Sequence, residues 1–225
     1  MSTLTIKVYR NLMGANDRWA GKTRRLLKQK NILMLNLIGS PGAGKTLLLE
    51  RTVRPLSRFL RFAVLEGDVE TTRDAERLAR LNCTVSQLLT GGGCHLQARM
   101  VHQALRDLPL DKLDIVFVEN VGNLVCPAEF DIGEHAKVAV LSVTEGEDKP
   151  LKYPALFRAA QAVILTKTDL LPHLKFKLPL CLDYLRQVNA ALPVFPVSSV
   201  TGHGLAAWIR WLNKFFAERK THNGF

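Results

Sequence analysis

Gly39-Ser40-Pro41-Gly42-Ala43-Gly44-Lys45-Thr46 fits the pattern G-x-x-x-x-G-K-[ST] and lies between a short apolar run, residues 33–38, and a helix-length amphipathic segment, residues 45–60. That context is what the pattern needs to work. The residues Gly39, Ser40, Gly42, Ala43 and Gly44 let backbone N–H groups wrap around nucleotide phosphates, and the helix start adds the positive end of its dipole. Lys45 is expected to reach the β and γ oxygens, and Thr46 to ligate Mg²⁺. A bare glycine-rich turn is the competing reading, and it explains neither the full spacing nor the strand-to-helix setting.

Outward from this loop, short apolar runs alternate with amphipathic segments of helical length, the pattern of a parallel sheet covered on both faces. Strands are expected at 33–38, 62–66, 114–119, 138–143, 162–166 and 194–197, and helices at 45–60, 72–81, 96–108, 151–159, 178–190 and 205–216. The fold class is therefore α/β, a three-layer, doubly wound, mostly parallel sheet of the P-loop NTPase kind. Such sheets bind ligands at the carboxyl ends of their strands. Residues 1–30 are expected to form a basic helical extension and residues 31–225 the nucleotide-binding domain.

Composition narrows the setting. The 225 residues are 47% hydrophobic and 23% charged, with formal net charge +11, which excludes collagen-like, disordered and disulfide-scaffold classes. No apolar run reaches the roughly 18 residues of a membrane span and no export signal is read, so a cytoplasmic protein without a membrane partner is expected. Eight Lys or Arg face Asp17 alone within residues 1–30, so much of the excess charge is local. A basic segment with few aromatics reads as a solvated helix or docking arm, and nucleic acid is not expected as a partner. The four cysteines, Cys83, Cys94, Cys126 and Cys181, contain no C-x-x-C pair and read as reduced thiols.

Two carboxylates end predicted strands, Asp68 and Glu119, where either is positioned to hold Mg²⁺ directly or through water; the alternative is a solvated strand-end group. Gly122, three residues beyond Glu119, supplies flexibility for a segment that senses the γ-phosphate. Thr166-Lys167-Thr168-Asp169 resembles the N-K-x-D guanine signature: Asp169 would accept from the two guanine donors, and Lys167 would lay its stem along the base. Ser198 and Ser199, in Ser198-Ser199-Val200-Thr201-Gly202, resemble the loop that completes a guanine pocket. A capped turn is the competing reading of Asp169. Cys94, His95 and Cys126 offer soft ligands suited to Zn²⁺ or Ni²⁺. On residue type alone, two buried cysteines and a surface histidine remain open.

Longer stretches carry a family resemblance: Gly67-Asp68-Val69-Glu70-Thr71, Gly93-Cys94-His95-Leu96, Glu119-Asn120-Val121-Gly122-Asn123-Leu124-Val125-Cys126-Pro127, and Ser142-Val143-Thr144-Glu145-Gly146-Glu147-Asp148-Lys149-Pro150-Leu151-Lys152-Tyr153-Pro154. With the P-loop they closely resemble the hydrogenase nickel-incorporation GTPases (HypB), SIMIBI-class P-loop proteins. The resemblance implies GTP hydrolysis to GDP with Mg²⁺, homodimerisation promoted by GTP, and nickel delivery to the [NiFe]-hydrogenase large-subunit precursor together with a small nickel metallochaperone. It places the family's metal site on Cys94, His95 and Cys126, and makes Lys149, then Lys152, the lysine offered towards a partner's nucleotide. Two positions depart from the family: Thr166 stands where Asn is usual, and Gln97 where Asp commonly follows Cys-His-Leu. A metal-storage or scaffolding protein with a degenerate nucleotide site is a second reading. A urease-type nickel GTPase is a third, although that family carries a Cys-Pro-His triplet.

Overall fold

The computed structural model describes residues 2–68, 77–79, 81 and 83–221, with residues 2–13 and Asp68 described by backbone alone. In chain order the elements are α1 (Ser2–Lys30), β1 (Leu33–Gly39), α2 (Lys45–Leu56), β2 (Phe62–Asp68), β3 (Thr84–Leu89), α3 (Ala98–Arg106), β4 (Ile115–Glu119), the one-turn α4 (Cys126–Glu129), β5 (Ala136–Ser142), α5 (Lys149–Lys152), α6 (Pro154–Ala159), β6 (Ala162–Thr166), α7 (Leu178–Val188), β7 (Val194–Pro196) and α8 (Leu205–Thr221). The strands form one sheet in the order β3-β2-β4-β1-β5-β6-β7. Every neighbouring pair is parallel.

Alternation along the central strand explains the three layers. Leu33, Leu35 and Leu37 of β1 pack with α2 and α8. On the opposite face Met34 packs with α1 and α3, and Ile38 with α6 and α7. Asn36 lies between those two clusters, fully buried, and its amide is satisfied on both sides: it accepts from Asn120 Nδ2 at 3.1 Å and donates to Glu134 Oε1 at 3.3 Å. Burial without such partners would cost several kcal/mol.

The register then gathers the chemistry at one edge. Leu37 pairs with Glu119, Glu66 with Glu119, and Ser142 with Thr166, so the ends of β1, β2, β4, β5 and β6 lie together around the P-loop. Opposite them, the described part of α1 is seated on the turn before β5. A Cβ on Gly133 (φ 89°) would come within 2.6 Å of Thr23 Cβ, and Arg24 pairs with Asp131.

Several expected boundaries are corrected. The edge strand β3 was not anticipated, because Thr84–Leu89 is largely half-exposed and carries Ser86 and Gln87 in place of an apolar run. Helix α2 stops at Leu56, not residue 60: Ser57 N still donates to the Val53 carbonyl, and the chain then turns on the Leu56 carbonyl, which accepts from both Phe59 N and Leu60 N. The segment 151–159 is two short helices broken at Tyr153, with Pro150 and Pro154 at their starts. β5 begins at Ala136, and α8 extends to Thr221. The helix expected at 72–81 lies mostly outside the described residues.

Candidate nucleotide and metal sites

The P-loop glycines are required for different reasons. A Cβ on Gly39 would lie 2.3 Å from the carbonyl oxygen of Val140, so β1 can lie this close to β5 only without a side chain. Gly42 (φ 74°) and Gly44 (φ 89°) adopt left-handed backbone that other residues resist, and the space beside Gly42 is open. Lys45 is buried, its Nζ donating to the carbonyls of Gly39 and Ser40 at 3.3 Å each. Thr46 Oγ1 donates to Glu119 Oε1 at 2.8 Å. Ser40 Oγ donates to Glu145, whose other oxygen accepts from Ser142 N, so the loop after β5 braces the P-loop.

A cleft of about 410 Å³ opens over this loop, lined among others by Gly42, Gly44, Lys45, Thr46, Glu119 and Gly122. Glu66 also lines it, buried and in register beside Glu119. Asp68 is the β2 carboxylate expected from the sequence, and the pairing of β2 with β4 adds Glu66 as the neighbour of Glu119. The Asp68 side chain lies outside the described residues. Gly122 lies directly against the P-loop, since a Cβ there would sit 2.7 Å from Pro41 Cγ.

At the other end of the P-loop, Thr166 Oγ1 donates to the carbonyl of Ala43 at 2.6 Å, tying β6 to the phosphate loop. Lys167 takes left-handed backbone (φ 60°), and its Cε would be 4.0 Å from a Cβ on Gly44, so its stem runs beside the loop. Asp169 Oδ1 and Ser199 Oγ are shielded from solvent and neither makes a hydrogen bond among the described residues. Leaving such atoms unmet costs about 1–3 kcal/mol each, which a ligand presenting donors would offset. Ser198 is occupied differently: its hydroxyl accepts from Thr201 N at 3.1 Å and shapes the turn.

The structure brings Cys94, His95 and Cys126 together, with one ligand atom of each within 4.8 Å of the others. Cys94 Sγ lies 3.4 Å from His95 Nδ1, and the His95 ring stacks on Phe130 with centroids 4.0 Å apart. Burial lowers the His95 pKa and favours the neutral imidazole that a metal requires. The Cys94 thiol is raised, chiefly by its hydrogen bond with Cys126. Cys94 is exposed and His95 and Cys126 are half-buried, so these positions are not those of two buried cysteines and a surface histidine.

Asparagines the sequence reading did not single out fasten the metal loop to the segment after β4. Leu96 N donates to Asn120 Oδ1 at 3.2 Å, and Asn123 Nδ2 to the Cys94 carbonyl at 3.2 Å. Leu96 also touches β2, since a Cβ on Gly67 would lie 2.8 Å from its Cδ1. Beyond β5, Lys149 Nζ lies 5.2 Å from the Tyr153 ring centre, while Lys152 is paired with Asp148.

A phosphate loop at the end of the central strand of a parallel sheet, with carboxylates on the adjoining strands, defines a P-loop nucleotide-binding protein of the SIMIBI class. The family model for the CobW/HypB/UreG nucleotide-binding domain matches residues 33–196. Hydrogenase maturation factor HypB of Azotobacter vinelandii is 48% identical over 209 residues, covering 93% of this chain and 69% of that one. The crystal structure of HypB from Helicobacter pylori in complex with nickel superposes with TM-score 0.84 at 36% identity, covering 93% and 96% of the two chains. HypB from Archaeoglobus fulgidus gives TM-score 0.85 at 32% identity, covering 90% and 99%. The chain belongs to the HypB branch of the CobW/HypB/UreG family.

Proposed function

We propose that this protein is a Mg²⁺-dependent GTPase that couples GTP hydrolysis and dimerisation to nickel insertion during [NiFe]-hydrogenase maturation in the cytoplasm. Its partners on this reading are the hydrogenase large-subunit precursor and a small nickel metallochaperone. The observation that carries the coupling is the shared segment 119–126. Glu119 meets Thr46, Gly122 lies on Pro41, Asn123 holds the Cys94 carbonyl, and Cys126 completes the metal set. A rearrangement of that segment about the γ-phosphate reaches both sites.

Within the cleft, the P-loop amides bind the phosphates, and Lys45 exchanges the carbonyls of Gly39 and Ser40 for phosphate oxygens, where its charge offsets that of the transition state. The hydroxyl of Thr46 and the carboxylate of Glu119 are hard oxygen donors already 2.8 Å apart, a set that fits Mg²⁺. Bound there, Mg²⁺ would neutralise charge on the β and γ oxygens. Asp169 reads guanine, and Ser199 adds a second polar contact. Nickel is cargo on Cys94, His95 and Cys126, with Zn²⁺ a competitor for the same thiolates.

Parallel turnover assays with GTP and ATP test the first half. GTP hydrolysis should exceed ATP hydrolysis and vanish in Lys45→Ala, whereas equal rates would remove the guanine assignment. For the second half, GTP affinity measured with and without Ni²⁺ should differ in wild type and not in Cys94→Ala/Cys126→Ala. Identical behaviour in both proteins would separate the two sites and leave a nucleotide hydrolase with an unconnected metal store.

A further inference from the structure

The two chain segments that carry the metal ligands diverge after leaving them. Beyond Cys94 and His95 the chain enters α3 at Ala98; beyond Cys126 it passes through α4 and Phe130 to Asp131. Residues from α1 reach both of these exits. Asn16 Nδ2 donates to the Asp131 carbonyl at 2.7 Å, and Asn16 Oδ1 accepts from Ala98 N at 3.0 Å. One half-buried amide, distant in sequence from either segment, thus spans them.

This contact meets an N–H that local capping leaves open, since an N-cap side chain serves the second or third N–H of a helix and not the first. Gln97 occupies the N-cap of α3 and its side chain makes no capping hydrogen bond. A short acidic side chain at that position would serve an N–H of the first turn itself. Here the first N–H of α3 is served by Asn16 from another helix, and the same side chain grips the other ligand-bearing segment. Other contacts of α1 with this region hold its placement: Arg24 pairs with Asp131, Thr23 Oγ1 lies 3.3 Å from His102 Nδ1, and the Trp19 and His102 ring centres are 5.3 Å apart.

We infer that Asn16 is a positioning residue for the metal centre, setting the separation of the Cys94–His95 and Cys126 segments by bridging Ala98 to Asp131. The inference rests on reading those three residues as the metal site. The physical reason is pre-organisation. Zinc and nickel bonds to sulfur and imidazole nitrogen are about 2.0–2.3 Å long, so the three ligand atoms must converge within a narrow range. Segments held at their exits lose less freedom on binding than segments free to part. Groups hydrogen-bonded to metal ligands typically change metal affinity by about 10–100-fold when removed, and Asn16 acts one step further out, on the segments that carry the ligands.

The test compares wild type, Asn16→Ala, Asn16→Asp and Cys94→Ala as full-length chains. Zn²⁺ and Ni²⁺ affinities are measured by competition with a chromophoric chelator, thiolate-to-nickel charge transfer by absorption, and GTP affinity separately. Asn16→Ala should bind both ions about tenfold more weakly, at the low end of that range, with an altered charge-transfer spectrum and unchanged GTP affinity. Asn16→Asp keeps the acceptor for Ala98 N but loses the donor to Asp131, and should fall between the two. It also keeps the test decisive if the alanine variant fails to fold. Wild-type affinity and spectrum in the folded Asn16 variants, with binding lost in Cys94→Ala, would overturn the positioning role and leave the metal site standing. Equal losses of metal and GTP affinity would overturn it in favour of a general structural role. Undiminished binding in Cys94→Ala would overturn the metal site and this inference with it.

Discussion

Thr166 shows how a departure from a familiar pattern is absorbed by local geometry. Its hydroxyl reaches the Ala43 carbonyl at 2.6 Å and so ties β6 to the P-loop, while the shielded polar atoms proposed to read a base belong to Asp169 and Ser199. Asp169→Asn should weaken GTP binding by roughly 100-fold, the worth of two hydrogen bonds to a charged acceptor, and should weaken xanthosine triphosphate far less because its 2-oxo group accepts from an amide. Fluorescent-analogue displacement measures both, and equal losses would mean that Asp169 supports the loop without reading the base. His135 makes a prediction of a different kind. Burial, then the charges of Arg219 and Arg24, depress its pKa to about 4, against an ordinary value of 6.5. Between those values the unfolded chain binds the extra proton, so stability falls as pH drops from about 6.5 to 4, by at most about 1.4 kcal/mol per pH unit. His135→Asn retains an acceptor for Met34 N, which His135 Nδ1 meets at 3.0 Å, but cannot take up that proton. Urea titrations at pH 7 and pH 5 should show a smaller pH dependence in the variant, and identical slopes would locate the acid sensitivity elsewhere.

Among the elements, the sequence revealed most where local chemistry and tertiary position coincide. β1, β4 and β6 are buried apolar runs followed by functional residues, and each is visible from periodicity alone. β3 was not, because an edge strand needs only one half-covered face, and its polar residues leave no apolar run. The candidate metal residues Cys94, His95 and Cys126 can be named from residue type and family likeness, but the hydrogen bonds of Asn120 and Asn123 that fasten their loop cannot be read from these ordinary-looking loop residues until β2 and β4 are paired. Glu66 escaped for the same reason. Helix pairing supplies a further test: Trp208 of α8 is almost fully buried, and its Nε1 donates to Thr52 Oγ1 of α2 at 2.9 Å. Thr52→Val preserves shape but strands the indole N–H, and should lower stability by about 1–3 kcal/mol with metal and nucleotide affinities unchanged. Denaturant unfolding with a loss below about 0.5 kcal/mol would show that the indole finds another acceptor or water.

For the whole molecule, the nucleotide cleft lies at the strand-end edge of the sheet, and the loop that braces the P-loop through Glu145 leads directly into α5. Lys149 begins that helix with its ammonium 5.2 Å from the Tyr153 ring centre and acts on Asp148 only through its charge, whereas Lys152 is in a direct ion pair with that carboxylate. The difference favours Lys149 as the lysine offered to a facing subunit in the proposed GTP-bound dimer. A second chain bringing that charge close to the phosphates would bind the triphosphate form more tightly than the diphosphate form. By linkage, GTP and dimerisation must then strengthen each other by one common factor. Sedimentation velocity with a non-hydrolysable GTP analogue should show a larger dimer fraction than with GDP, and Lys149→Ala should reduce that fraction while leaving monomer nucleotide affinity nearly unchanged. Lys152→Ala should have the smaller effect, because it removes a charge that Asp148 already neutralises. A dimer fraction independent of nucleotide in the wild type, or unaltered in both lysine variants, would exclude a lysine-mediated switch and leave the charged loop as a solvated surface.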